Sequence, residues 1–211
     1  MSEALVARVS ALEEKRFRAP KDTAVDEAMR RARHQVEALG LYSAHWKWVP
    51  EPYYTWELPQ RAKVLGARST SLLCKSLLLE NKACEEVNSN KMDNPRFFMV
   101  MIQYEAELDT KKLTTSIRKM RPVESRLEVN KFDLQVASPE DNDRITGYAF
   151  NSVTPFGMKK PVPIYLSADI VPHGFFWMGG GHVHLKLGMS VADFQQLPMV
   201  KVLDLSVPRS K

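Results

Sequence analysis

Three stretches of this chain carry residues whose type and spacing suit chemistry. The first is SLLCKSLLLE, Ser71 to Glu80, where Lys75 interrupts an apolar run. In a strand, side chains alternate faces, so Leu73, Lys75 and Leu77 point one way and Leu72, Cys74 and Ser76 the other. An ammonium on a covered face costs several kcal/mol unless it is paired or opens to water. Lys75 therefore either holds something or snorkels out from an edge strand. Cys74, on the opposite face, is poorly placed as a nucleophile and reads as a small buried hydrophobe.

The second stretch is GYAFNSVTPFG, Gly147 to Gly157. Its glycines and Pro155 fix a rigid path, and backbone N–H groups near Pro155 can converge on an acyl oxygen. A plain connecting loop has the same composition. The third is GGGHVH, Gly179 to His184. Three glycines let the backbone approach a ligand closely. His182 and His184 share a strand face, but no third metal ligand has recognisable spacing. Phosphate loops, dinucleotide fingerprints and nucleophile elbows are absent from the sequence. A fourth signal is cationic. Lys111, Lys112, Arg118, Lys119, Arg121, Arg126 and Lys131 outnumber the nearby acids, and Lys159 and Lys160 follow the loop. That pattern is either a solvated face or a phosphate-contacting patch.

The elements that must position these residues are legible from periodicity. Leu5, Val9 and Leu12 have helical spacing. A second helix is expected from Thr23-Ala24-Val25-Asp26, a capping pattern, with the stripe Val25, Met29, Ala32, Val36, Leu39 and a stop at Gly40. A strand over 45–49, a Pro-rich turn and a short helix over 57–66 follow. Strands are expected over 72–80 and 96–106, with a polar connection between them. Asp109 caps a helix to Lys119. A strand spans 132–136, and Ser138-Pro139 opens a helix to Thr146. Further strands cover 162–167, 175–178 and 183–189, with Gly179–Gly181 read as the turn between the last two. Ser190 caps a last helix into Leu197, and a short strand is expected within 202–207. Strands and helices mix without strict alternation, which predicts an α/β (α+β mixed) fold on a mixed sheet.

The chain has 211 residues, 44% of them apolar, and a net charge of +5. That is a normal globular composition, mildly basic and compatible with an anionic partner. No apolar run reaches membrane-span length, so no membrane partner is expected. Glu3, Glu13 and Glu14 break up the start of the chain as no signal peptide would allow. With two cysteines and no disulfide framework, a cytoplasmic location is expected. Residues 1–22 are expected to be a helical extension and 23–211 a single domain.

Taken in order, CKSLLLE, ITGYAFNSVTPFGMKKPVPIYL and FFWMGGGHVHLKLGMSVADF resemble the YbaK family of aminoacyl-tRNA deacylases, which includes the editing domain inserted in bacterial prolyl-tRNA synthetases. The resemblance spans roughly residues 26 to 205. It implies a mixed sheet with a barrel-like centre, flanking helices and a central pocket. It implies hydrolysis of the ester between a wrong amino acid and the 3′ end of a tRNA, without metal or cofactor and assisted by the tRNA's own terminal hydroxyl. Alanine on proline tRNA is the first substrate expected.

The family's key lysine falls on Lys75, which would face the pocket and hold the terminal adenosine; Lys75→Ala should then abolish deacylation. The family's Gly-x-x-x-Pro loop falls on Asn151 to Pro155, with Asn151 where glycine is usual. The substrate site implied comprises Asn151, Ser152, Val153, Thr154, Pro155, Phe156 and Gly157, with Gly179, Gly180, Gly181 and His184. His184 matches a histidine of the synthetase-inserted domain and would set pocket size or hold a water. Lys111, Lys112, Lys119, Lys159 and Lys160 are the expected tRNA contacts. An alternative is a non-catalytic editing-like module docked through its N-terminal helices on a synthetase or multi-synthetase complex.

Overall fold

A computed structural model describes residues 2–209; Met1, Ser210 and Lys211, at the outer ends of the two expected domain ranges, lie outside the described residues. Two helices come first, α1 (Glu3–Phe17) and α2 (Glu27–Ala38). The side chain of Asp26 accepts from Met29 N at 2.8 Å, so α2 opens three residues later than its expected start at Thr23. Only Asp26 reaches a free N–H of the first turn. Met29, Ala32 and Val36 are buried, as the stripe demands.

β1 (His45–Trp48), a 3-10 turn over Glu51–Thr55 and α3 (Leu58–Leu65) follow, with Gly66 ending α3 in a left-handed conformation. Next come β2 (Cys74–Asn81), β3 (Phe97–Gln103), β4 (Ala106–Leu108) and α4 (Thr110–Arg118). Asp109 caps α4 through the N–H groups of Lys111 and Lys112. The single strand expected over 96–106 is thus two, split at Tyr104-Glu105. β5 (Leu134–Val136), α5 (Pro139–Thr146), β6 (Ile164–Ser167), β7 (Phe175–His182), β8 (Leu185–Ser190), α6 (Val191–Phe194), β9 (Val200–Leu203) and β10 (Ser206–Pro208) complete the chain.

Five strands form a mixed sheet in the order β5-β2-β3-β6-β9; β1-β8-β7 form an antiparallel sheet and β10-β4 a two-stranded ribbon. β6 runs parallel to both β3 and β9, which requires crossover connections; helices α4 and α5 both lie in the one between β3 and β6. A parallel bridge between Leu73 and Trp177 ties β7 to the start of β2. This is as near as the described strands come to a barrel.

The large sheet has two different faces. Cys74, Leu78, Met99 and Met101 join α2, Phe156, Phe176 and Leu187 in the main core. Leu79, Phe98, Val100 and Ile102 pack with Leu113 and Ile117 of α4 on the other side.

The run Gly179–Gly181 is not a turn. β7 continues through it to His182 with a bulge, and the turn falls on Val183-His184. The glycines serve close approach. A Cβ on Gly179 would overlap the Val153 carbonyl, one on Gly180 would meet Leu185 O at 2.9 Å, and Gly181 has φ 89°.

Candidate active site

The loop of residues 147–157 lies on the glycine run. Gly181 N donates to Ser152 O at 3.1 Å, beside the contact of Val153 O with Gly179. Asn151 has φ 62°, the left-handed conformation that Asn tolerates where glycine is usual. The base of the loop is held by α2. Arg31 donates to the carbonyls of Gly157 and Gly147, both at 3.0 Å, and Gln35 accepts from Gly157 N. Tyr148, buried, donates to Phe156 O at 2.5 Å. Phe156 and Thr154 are fully buried, and Ser152 nearly so.

Between β7, β8, the start of β2 and the 3-10 turn is a hollow of ≈10 Å³, room for about one water; the loop adjoins it through two of its walls, Gly179 and Tyr54. Tyr53, Tyr54, Tyr104, Trp177, Cys74, Gly179 and Lys186 are among its walls. Lys186 Nζ donates to the Tyr54 hydroxyl at 2.7 Å, and that hydroxyl donates to Asn151 O at 2.8 Å. One hydrogen-bonded chain thus runs from β8 through the aromatic turn to the loop. Arg61 stacks on Tyr53, Tyr54 and Tyr104, with its Cζ 5.5–5.7 Å from the ring centroids.

Burial raises the Tyr53 and Tyr54 phenols well above their ordinary range, and both stay protonated. Burial likewise pushes the Cys74 thiol up, so it is an inert wall. Two buried hydroxyls, Ser76 Oγ and Thr154 Oγ1, have no partner among the described residues. In a native fold such orphans call for an explanation, a bound water or a ligand first.

Lys75 is placed differently. Its cross-strand partner is Ile102, so it shares the face of Leu77, Val100 and α4, opposite Cys74 and Ser76. It is half-buried. Burial lowers its pKa, the charge of Arg209 lowers it further, and Glu107 acts against both. The structure does not bring Lys75 to the hollow; the lysine that lines it is Lys186. Lys186 is not among the residues expected from the sequence, although HLKLGM sets a cation in an apolar strand just as SLLCKSLLLE does.

His184 lies half-buried in the β7–β8 turn. Its carbonyl accepts from Val49 N at 2.8 Å, and its N–H donates to His182 Nδ1 at 3.2 Å. The two imidazoles meet edge to face at 5.6 Å, and among the described residues no third His, Cys, Asp or Glu joins them.

The cationic residues fall into two groups. Lys111, Lys112 and Lys119 lie on and just beyond α4, on the Lys75 side of the sheet, with Lys112 engaged by Asp204 at 3.1 Å. Lys159 and Lys160 are exposed at the end of the loop, and Lys160 joins Arg96 and Arg144 around a cleft of ≈260 Å³.

The mixed α/β architecture and this loop-on-glycine site define a class, and comparison with known proteins specifies it. Residues 55–197 match the family model described as aminoacyl-tRNA editing domain. The chain belongs to that family and is a hydrolase acting on mischarged tRNA. Among solved structures, it is similar to a putative trans-editing enzyme for prolyl-tRNA synthetase, at 21% identity and TM-score 0.66 over 87% of this chain and 99% of that one. A chain from work on epitope backbone grafting onto scaffold proteins matches at 18% identity and TM-score 0.66, over 88% of this chain and 100% of that one. No curated protein is a match. Among the described residues, no helix is long and apolar enough to cross a membrane.

Proposed function

We propose that this protein acts in trans on tRNA carrying a wrong, small amino acid, with alanine on proline tRNA as first substrate. The observation that carries this reading is the seating of the Asn151–Gly157 loop on Gly179–Gly181, where Gly179 is also a wall of a hollow the size of one water. Ester hydrolysis needs an oriented acyl group, donors for the developing oxyanion and a placed water. No hydrogen bond among the described residues uses the N–H of Val153 or Thr154, so both are available as oxyanion donors; the N–H of Gly157 is taken by Gln35. Tyr53, Tyr54, Tyr104 and Trp177 wall the hollow so closely that it holds the attacking water alone, and the acyl group lies outside it. One methylene is worth only about 1–3 kcal/mol in such a pocket. Discrimination among small side chains is therefore graded.

The terminal adenosine enters over the glycines, its free ribose hydroxyl helps orient the water, and no metal takes part. Lys159 and Lys160 at the loop end hold the acceptor stem. Lys75, with Lys111, Lys112 and Lys119 on the other face of the sheet, adds affinity for more distant phosphates. The experiment is a panel of mischarged tRNAs, alanyl-, seryl-, threonyl- and cysteinyl-, with a chelator present. Release of alanine from proline tRNA at the highest kcat/KM is the expected result. Failure to deacylate any member would refute the catalytic reading.

A second reading, docking on a synthetase assembly, is favoured by α1. Leu5, Val6, Val9 and Leu12 line its outer side, and Leu12 is 68% exposed. Its other side is pinned to α2 by the ion pairs Glu13–Arg30 and Arg16–Glu37. Docking and catalysis are compatible, and loss of co-purification with a synthetase after deletion of residues 1–17 would support it.

A further inference from the structure

Lys186 is only 4% exposed. Its Nζ donates to Tyr54 Oη at 2.7 Å and to Val183 O at 2.8 Å. Tyr54 spends its own hydrogen on Asn151 O, so towards Lys186 it can only accept. Two N–H bonds of the amine are thereby fixed. The remaining tetrahedral position carries either a third proton or a lone pair.

The surroundings decide between them. From the 3-10 turn, the rings of Tyr53 and Tyr54 lie 5.2 and 4.4 Å from Nζ. From α3, Arg61 places a second cation behind those rings. From β1, Lys47 is the cross-strand partner of Lys186. From β2 comes the protonated thiol of Cys74, from the end of β3 the Tyr104 phenol, and from β7 Gly179. His182 and His184 flank the preceding turn. Among the described residues Lys186 has no ion-pair partner. Burial and then the Arg61 charge bring its pKa down to about 7. In a neutral amine that third position is a lone pair, and Lys186 is a wall of the hollow with room for one water.

We propose that Lys186 is the general base of this enzyme, taking a proton from the water in the hollow as that water attacks the acyl carbonyl. The inference rests on the deacylase reading. In the first step a bond forms between the water oxygen and the carbonyl carbon, and one water proton moves to Nζ. In the second, the bond from that carbon to the ribose oxygen breaks, and the proton on Nζ passes to the departing oxygen. The amine returns to its neutral form, and the products are the free amino acid and a tRNA with its terminal hydroxyls restored. Tyr54 is a positioning residue, since it holds both the amine and the loop.

The test is single-turnover deacylation of alanyl-tRNA for proline as a function of pH, on the full chain. The wild-type rate should rise with pH and level off above about 7. Lys186→Met should be slower by about a hundredfold or more, without that inflection. Lys186→Arg, which keeps a cation that cannot accept a proton, should be equally slow. Lys186→Ala should regain rate with added methylamine or ethylamine, in proportion to the free-amine fraction. Wild-type rates in the Met and Arg variants, or an unchanged inflection in them, overturn the inference while leaving the deacylase reading intact. A wild type inert on the whole tRNA panel overturns both. Circular dichroism melts of each variant separate slow chemistry from failed folding, and amine rescue shows that the pocket has formed.

Discussion

The two lysines that interrupt apolar strands, Lys75 and Lys186, sit in opposite circumstances. Each is flanked by leucine or cysteine and by a small or apolar residue on its strand. Lys75 lies on the α4 side of the large sheet, half-buried; burial and the Arg209 charge lower its pKa, and Glu107 favours its charge. Lys186 lies under an aromatic turn with only other cations near it. One can stay charged and reach for solvent or phosphate. The other is an amine kept dry. A cation in a greasy strand marks a constraint, and the layer covering that strand determines whether the constraint is electrostatic or chemical.

The sharpest way to break this contrast is to remove each lysine in one assay. Lys186→Met should cut kcat by about a hundredfold or more. Lys75→Ala should leave kcat nearly unchanged and raise KM several-fold, with a weaker salt dependence, as expected for a lost phosphate contact. The reverse ranking would return the active centre to Lys75.

Next in size is the contact that joins the loop to the glycines. Gly179→Ala puts a methyl onto the Val153 carbonyl, a backbone atom that cannot move without the loop. A loss of about 1–3 kcal/mol in urea unfolding is expected, with deacylation impaired. Gly174 is a fair control. It has φ 70° but nothing within 4 Å of an added Cβ, so Gly174→Ala carries backbone strain alone and should leave activity intact.

Much of the scaffold was readable in the sequence because local chemistry determines it. Asp109, Ser138 with Pro139, and Gly66 begin or end helices using atoms a few residues away. Asn151 was readable for the same reason, since its tolerance of positive φ is its own. What eluded the sequence is long-range. Gly179–Gly181 looked like a turn, because nothing nearby shows that Val153, more than twenty residues earlier, presses on Gly179. Lys186 was missed because Tyr53 and Tyr54, which roof it, lie in a Pro-rich stretch some 130 residues away with no periodicity to assign their partners. The side on which Lys75 would find a cavity was equally beyond alternation, which separates two faces without saying what covers either.

The pH dependence of stability sharpens the contrast further. The folded-state pKa of Lys186 is depressed, so between about 7 and its ordinary value near 10.5 the unfolded chain binds the extra proton. Stability therefore rises with pH through that window, by up to about 1.4 kcal/mol per unit, and this contribution is flat below it. The difference in unfolding free energy between wild type and Lys186→Met should follow that rise. The corresponding difference for Lys75→Ala should rise less steeply, because Lys75 is only half-buried and Glu107 partly offsets the burial and Arg209 effects. Parallel curves for the two pairs would mean that the two environments do not differ as described.

The smallest effect expected is at Thr154, on the Lys186 side. Its hydroxyl is buried without a partner among the described residues, so Thr154→Val exchanges an unsatisfied group for a methyl of nearly equal volume. An empty site predicts a gain of about 1 kcal/mol in stability and no change in turnover. A site that binds substrate through this hydroxyl predicts the same gain without ligand and a several-fold loss of turnover. The second outcome is expected, because the same residue's main-chain N–H is an available oxyanion donor. Unfolding and single-turnover measurements on one preparation distinguish the two. Unchanged turnover would assign the Thr154 hydroxyl no part in catalysis.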